Sequence, residues 1–416
     1  MRRGVEHESA QRSPRGFPTM STHGVEVMLL VGGLLLAALK LLSALSAPPS
    51  KAPAPGEHPR SAELIALERA LVAALPSWWR ESDGLRSDGA RYTVDVAQLA
   101  SYSAIRGDQA LYALFLPALR EVIIDDPSSP YTSGMVAWRW RPGEPLDASG
   151  TTEALRTAEA LWEGRRFGLN WRPEVAAIIR AYERHQLTDQ GVWMIRNYYN
   201  LGVGAFSPNS YAVDYDPDFL FRLARSLEEE VPPRADAGAG VSVGAELHLR
   251  ARALAKKSAS LLEATLAPSG LTHQLIMPEL STLLPGLPLA FSSPNDIEAL
   301  GNALTVAERC LIMCPSVARA AENFLAARPV LKRLYTATEG TPRGAEEAGV
   351  VELAATVRFA CKRGADALAT RHLSALLARA ERFLARPRAA RLYVASELLL
   401  TLTCLLPEPA ALSLAE

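Results

Sequence analysis

From Ser61 onward, apolar residues recur at intervals of three and four. Leu64, Leu67, Leu71 and Leu75 share one helical face; Leu99, Tyr102 and Ile105 share another, followed by Leu111, Phe115 and Leu119. The same period runs through 150–166, 173–186, 217–229, 245–267, 296–313, 316–337, 348–363, 367–386 and 388–405. About a dozen helices are therefore predicted. Strand-like runs are short and aromatic, Met135 to Trp140 and Val192 to Tyr199. The Pro/Ala/Gly-rich stretch Val231 to Val243 reads as an exposed loop, and its glycines follow no strand, which argues against a dinucleotide loop. Helices of this number form either a closed double ring or an open solenoid. No fixed-period repeat is visible, so the expected fold is all-α, an (α/α)6-type toroid with short β segments. In such a ring the inner helices run parallel and their N-termini collect at one end.

The start of the chain changes the picture. Val27 to Leu45 is a 19-residue apolar run whose only charge is Lys40, long enough to span a bilayer. Arg2, Arg3, Arg12 and Arg15 precede it, which favours an inside N-terminus. The expected organisation is a cytoplasmic tail (1–26), a signal anchor or signal peptide (27–46), a Pro/Ala tether (47–60) and an extracytoplasmic helical domain (61–416). Cleavage near Ala44-Leu45-Ser46 would make that domain secreted. Cys310, Cys314, Cys361 and Cys404 lack zinc-site spacing; disulfides are permitted outside the cytoplasm, with the pairing open. Lys plus Arg total 44 against 45 Asp plus Glu, so no nucleic-acid partner is expected.

Candidate chemistry narrows by elimination. The seven histidines are scattered, with no HExxH, and there is no GxSxG elbow or Walker loop. No metal and no cofactor are expected. All seven Trp lie between Trp78 and Trp193, and nine of eleven Tyr between Tyr92 and Tyr215. This polarity suggests a cleft lined by Trp138, Trp140, Trp193, Tyr198, Tyr199 and Tyr211, where rings stack on a ligand. Acidic residues sit at predicted helix starts: Asp95, Asp147 with Glu153, Asp214 with Asp216 and Asp218, and Asp296. Each also fits a capping role, most clearly Asp216 before Pro217. Gathered at one end of a ring, such carboxyls would suit glycosidic hydrolysis, which needs one group to protonate the leaving oxygen and another to activate water.

At these residues the chain resembles the family-eight glycoside hydrolases, over roughly Trp78 to Cys310. The resemblance implies an (α/α) six-hairpin toroid that cleaves β-linked polysaccharide with inversion and without a metal. Thr93 to Phe115 resembles the family's early acid-bearing helix; counting back from Gly107-Asp108, the acid Glu falls on Val94, with Asp95 adjacent. Asp147 to Trp162 resembles the second motif, with Glu153 or Asp147 as the carboxylate that positions the sugar. Ser207 to Phe219 resembles the cleft-lining segment, matching at Asn209 and Tyr211, and Asp214 is a further substrate-binding candidate. Ser292 to Leu300 stands where the inverting base is carried, with Asp296 as that base. The implied function is a membrane-tethered hydrolase of extracellular or periplasmic polysaccharide, with Asp95 as displaced donor, Glu153 as orienting group and Asp296 as base. Two alternatives stand beside it: a toroid that binds glycan without turnover, which Val94 favours, and a helical scaffold for protein partners, which requires an open superhelix.

Overall fold

The computed structural model describes residues 60–80, 88–125, 129–141, 143–189, 192–230, 243–277, 290–292, 296–386 and 390–407. The run Val27 to Leu45 and the boundaries up to 59 lie outside them. Among the described residues no helix is long and apolar enough to cross a membrane.

The described residues form twelve α-helices. They are α1 (Ser61–Arg80), α2 (Thr93–Ile105), α3 (Gln109–Glu121), α4 (Thr151–Glu163), α5 (Arg172–Arg184), α6 (Pro217–Glu230), α7 (Val243–Ala264), α8 (Leu300–Glu308), α9 (Pro315–Ala326), α10 (Val350–Lys362), α11 (Asp366–Ala385) and α12 (Arg391–Leu405). Even-numbered helices follow one another, α2 on α4, α8 on α10, α10 on α12 and α12 back on α2, and α6 closes the ring through Arg222–Glu159 and Ser226–Trp162 to α4 and through Asp218 to the Ile312 and Met313 amides after α8. Odd-numbered helices pack outside, α3 on α2, α5 on α4, α7 on α6 and α11 on α10. The closed ring excludes the open superhelix that the scaffold reading requires.

Burial follows this layering. In α2 nearly every side chain from Val96 to Ala104 is buried, because the helix has neighbours on all sides. Outer α1 buries only its Leu64, Leu67, Leu71, Leu75 stripe and Trp78. Local signals set the helix starts. Asp216 accepts the Phe219 amide at 2.9 Å, with Pro217 at the first helical position. Glu352 reaches back to the Gly349 amide at 2.8 Å.

Two stretches depart from the predicted helices. The segment 296–313 is helical only over Leu300–Glu308. Asp296 has a positive φ of 58°, and Ile297–Ala299 pairs antiparallel with Leu334–Thr336. The segment 316–337 stops being helical after Ala326; Pro329 cannot continue a helix, and Lys332–Thr336 forms a hairpin with Pro342–Glu347. Both periodicities mix apolar residues of a short helix with those of a half-buried strand.

All four cysteines pair, Cys310 with Cys314 and Cys361 with Cys404. The first bridge closes the turn between α8 and α9. The second joins the C-terminal ends of the neighbouring inner helices α10 and α12.

The ring axis is ionic rather than apolar in its lower half. Arg358 of α10 binds Glu308 of α8 at 2.7 Å and Glu397 of α12 at 2.8 Å. Gln98 of α2 donates to the same Glu397 at 2.9 Å. Arg156 of α4 meets Glu159 at 3.1 Å, and Arg222 of α6 meets Glu159 at 2.6 Å. Every inner helix thus contributes a polar group to one of two clusters, Gln98–Glu397–Arg358–Glu308 and Arg156–Glu159–Arg222. Burial alone would raise the Glu308 carboxyl, but Arg358 and Lys362 outweigh it and hold Glu308 far below the usual carboxylate range.

Candidate functional site

The connections at the N-terminal ends of the inner helices carry most of the short strands. Strand β1 (Arg91–Tyr92) pairs with β2 (Arg139–Trp140), and the Thr93 hydroxyl donates to the Ala137 carbonyl at 2.6 Å. These bonds hold segment 137–140 beside the start of α2. That segment is bridged to Ala148 and Ser149, which are in turn linked to Tyr199 and Asn200. The Thr151 amide donates to the Asn197 carbonyl at 3.0 Å. Three chain segments therefore lie side by side over the first turn of α4.

They enclose a cavity of about 550 Å³, lined by Trp138, Asp147, Ser149, Gly150, Thr152, Glu153, Asn197, Tyr198, Asn200 and Asp214 among others. One wall is rigid. The Trp138 indole donates to Asp147 at 2.8 Å, and the Arg139 guanidinium lies over the Trp138 ring at 4.2 Å. Arg139 also binds Asp147 at 3.0 Å and Asp88 at 2.5 Å. The floor is Asp214, fully buried. It accepts from the Thr152 hydroxyl at 2.8 Å, the Asn197 amide at 2.9 Å and the Tyr211 backbone amide at 2.8 Å. Burial pushes the Asp214 carboxyl up despite these donors. A Cβ at Gly150 would displace the Glu153 carboxylate and press on the Trp138 Cβ at 3.0 Å. Behind the cavity, the Ser149 hydroxyl contacts the imidazole of His185 at 3.1 Å, and burial pushes His185 down to about 4. Among the described residues no group of three or more His, Cys, Asp and Glu side chains is placed to hold a metal ion.

This geometry presents one indole face, one half-exposed phenol, two side-chain amides and three carboxyls around one hollow. Such a surface matches a sugar, with apolar ring faces and a belt of hydroxyls. No protein-family model matches the chain, and no curated protein matches it. Solved structures do. A novel alpha-amylase from Clostridium perfringens superposes with a TM-score of 0.61 at 13% identity, covering 83% of this chain and 99% of that one. The endo-beta-1,4-glucanase CMCax from Acetobacter xylinum gives 0.57 at 16% identity, covering 82% and 98%. A cold-adapted family 8 xylanase gives 0.54 at 14%, covering 76% and 79%. The chain has the toroidal fold of the family-eight glycoside hydrolases.

Within this toroid the sequence candidates separate. Glu153, Asp147, Asp214, Trp138 and Tyr198 line one cavity. Asp296 is not among its lining residues. Its carboxylate accepts the Thr338 hydroxyl at 2.7 Å and the Thr338 amide at 3.0 Å, finishing the hairpin after α9; the hydroxyl bond foremost holds Asp296 below the usual carboxylate range. Asp95 is buried in the first turn of α2 and lines none of the described cavities, whereas neighbouring Val94 is partly exposed.

The aromatic candidates divide in the same way. Trp140 is only 5% exposed and belongs to the main core, so it offers no face to a ligand. Trp193 packs edge-on to Tyr215 at 6.1 Å, and Tyr199 edge-on to Phe206 at 4.8 Å; neither lines the cavity. Tyr211 is exposed, and Asn209 contributes its carbonyl to the Asn197 amide at 2.9 Å; neither lines the cavity. Thr152, Asn197, Asn200 and Ser149 were missed. Asn197 and Asn200 flank the Tyr198-Tyr199 pair, the one sequence sign that pointed to them.

Proposed function

We propose that this is an extracytoplasmic glycan-binding toroid whose cavity at the start of α4 holds a polysaccharide strand without hydrolysing it through an Asp95–Asp296 pair. The observation that carries this reading is the convergence of Trp138, Tyr198, Asn197 and Asn200 on one hollow whose carboxyls are already engaged. Inverting hydrolysis needs a donor and a base about 6.5–9.5 Å apart, with a water between them and the bond. Val94 stands at the expected donor position, and Asp296 is bound to Thr338. Export and tethering rest on Val27 to Leu45 alone. Neutral β-1,4-glucan, xylan and α-glucan are the first probes, because the similar structures are a glucanase, a xylanase and an amylase. Affinity electrophoresis in gels cast with each polymer tests the reading: retardation by at least one polymer, lost in Trp138→Ala, supports it, and equal mobility in all gels overturns it.

A second reading keeps hydrolysis with different carboxyls. Its support is Asp214, which burial moves towards the proton affinity a general acid needs, with Glu153 lining the same cavity. It requires Asp214 to exchange some of its donors for the glycosidic oxygen. Reducing-sugar release separates the two readings.

A further inference from the structure

The hairpin that walls the glycan cavity has a second face. Its strands Tyr199–Asn200 and Ala205–Phe206 pair antiparallel, with Tyr199 opposite Phe206 and Asn200 opposite Ala205. Successive strand residues point to opposite sides. Asn200 lines the cavity, whereas Tyr199 and Phe206 meet Tyr131, their ring centroids 6.0 Å and 6.2 Å from its own. Tyr131 itself is 49% exposed.

Two guanidinium groups frame these rings. Arg196 lies over Phe206 at 3.7 Å, and it donates from Nε to the His185 carbonyl at 3.1 Å and from Nη2 to the Gln186 carbonyl at 3.4 Å. Arg184, in the last turn of α5, lies 5.8 Å from the Tyr131 ring and donates from Nη2 to the Ser133 carbonyl. These anchors fix both side chains and leave each Nη1 open to solvent, unlike the enclosed Arg184 Nε. Arg180, one turn earlier on α5, adds a third positive charge beside Arg184. Among the described residues no carboxylate pairs with any of the three. Glu183 is taken up by Arg250, and Asp125 pairs with none of them. Burial lowers the pKa of Arg184 and of Arg196, and the Tyr131 phenol is the group that acts the other way on both.

The two faces of the hairpin therefore differ in sign. The cavity side presents Asp147, Glu153 and Asp214; the Tyr131 side presents unpaired cations around an exposed ring. A planar guanidinium fork fits a carboxylate, and a phenol face fits a sugar ring. A sugar that carries a carboxylate satisfies both at once. An acidic peptide supplies the charge on a flexible stem and puts no ring on Tyr131.

We propose that Tyr131, Arg184 and Arg196 form a second glycan site, selective for uronate-bearing chains. It stands on this surface alone, whatever occupies the cavity.

The test is calorimetric titration of the full chain with oligogalacturonate at low ionic strength, with polyglutamate of similar charge as the control. Saturable binding of oligogalacturonate is expected, with polyglutamate at least about tenfold weaker. Tyr131→Ala and Arg196→Gln are each expected to weaken oligogalacturonate binding about tenfold. Should Arg196→Gln fail to fold, Arg196→Lys keeps the charge and an aliphatic stem over Phe206 but removes the fork, and weaker binding is again expected. Retardation by neutral polymers reads the cavity separately, so failure of one site is distinguishable from failure of the other. No saturable binding of oligogalacturonate, polyglutamate binding within tenfold of it, or wild-type affinity in any folded variant overturns the proposal.

Discussion

The Asp214 carboxylate accepts the Thr152 hydroxyl at 2.8 Å, tying the turn before α6 to the first turn of α4. The same carboxylate takes the Asn197 side-chain amide and the Tyr211 backbone amide. Asp214→Asn would turn a donor towards groups that are themselves donors. It is expected to cost about 1–3 kcal/mol in chemical denaturation and to weaken glycan binding, because Asn197 loses its anchor.

Trp138 is fixed on both sides, by Asp147 at its indole N–H and by Arg139 over its ring. Trp138→Ala is expected to reduce affinity for the bound polymer about tenfold, roughly 1.4 kcal/mol, while the melting temperature changes little. Titration of a soluble oligosaccharide checks the first and calorimetry the second.

Much of this arrangement was legible in the sequence. Regular three-four spacing and the lack of a repeat pointed to a twelve-helix ring, and Asp216-Pro217 marked the start of α6. Asp147, Glu153, Asp214, Trp138 and Tyr198 were already candidates for one cleft, since a ring gathers helix starts at one end and the aromatic residues cluster in the same part of the chain. Asp296 shows where the reading stopped. Locally it looks like a helix start, and only the pairing of Ile297–Ala299 with a strand 35–40 residues on reveals a hairpin cap. Trp140 shows the other limit: composition locates aromatic side chains near a site, but which face each ring turns outward is settled by strand register. The disulfide pairing was equally invisible, because Cys361 and Cys404 meet only once α10 and α12 are neighbours in the ring.

The axial network answers to charge balance. Arg358→Met leaves Glu308 and Glu397 buried without their shared cation and is expected to destabilise the domain by about 3–5 kcal/mol. Adding Glu308→Gln and Glu397→Gln to Arg358→Met is expected to restore part of that loss. Equilibrium urea unfolding measures both.

Asp218 accepts the Ile312 and Met313 amides at 2.9 Å, and burial pushes its carboxyl from 3.8 up to about 6. An acid raised on folding stabilises fully below its unfolded value and loses that contribution as pH rises through its folded one. Relative to Asp218→Asn, the wild type is therefore expected to lose up to roughly 3 kcal/mol between pH 4 and pH 7, with no further change above. His185, pushed down to about 4, acts oppositely, its contribution being present above 6.5 and lost as pH falls. It cancels in this comparison because both proteins retain it.

The most direct test pairs binding with turnover on the same sample. The full chain is titrated with β-1,4-glucan, xylan and α-glucan oligosaccharides, and the same mixtures are assayed over a day for new reducing ends. Saturable binding of one of them with reducing-end release at the level of the protein-free blank, in both wild type and Asp296→Asn, is the expected result. Release that rises with protein concentration and disappears in Asp296→Asn would contradict it.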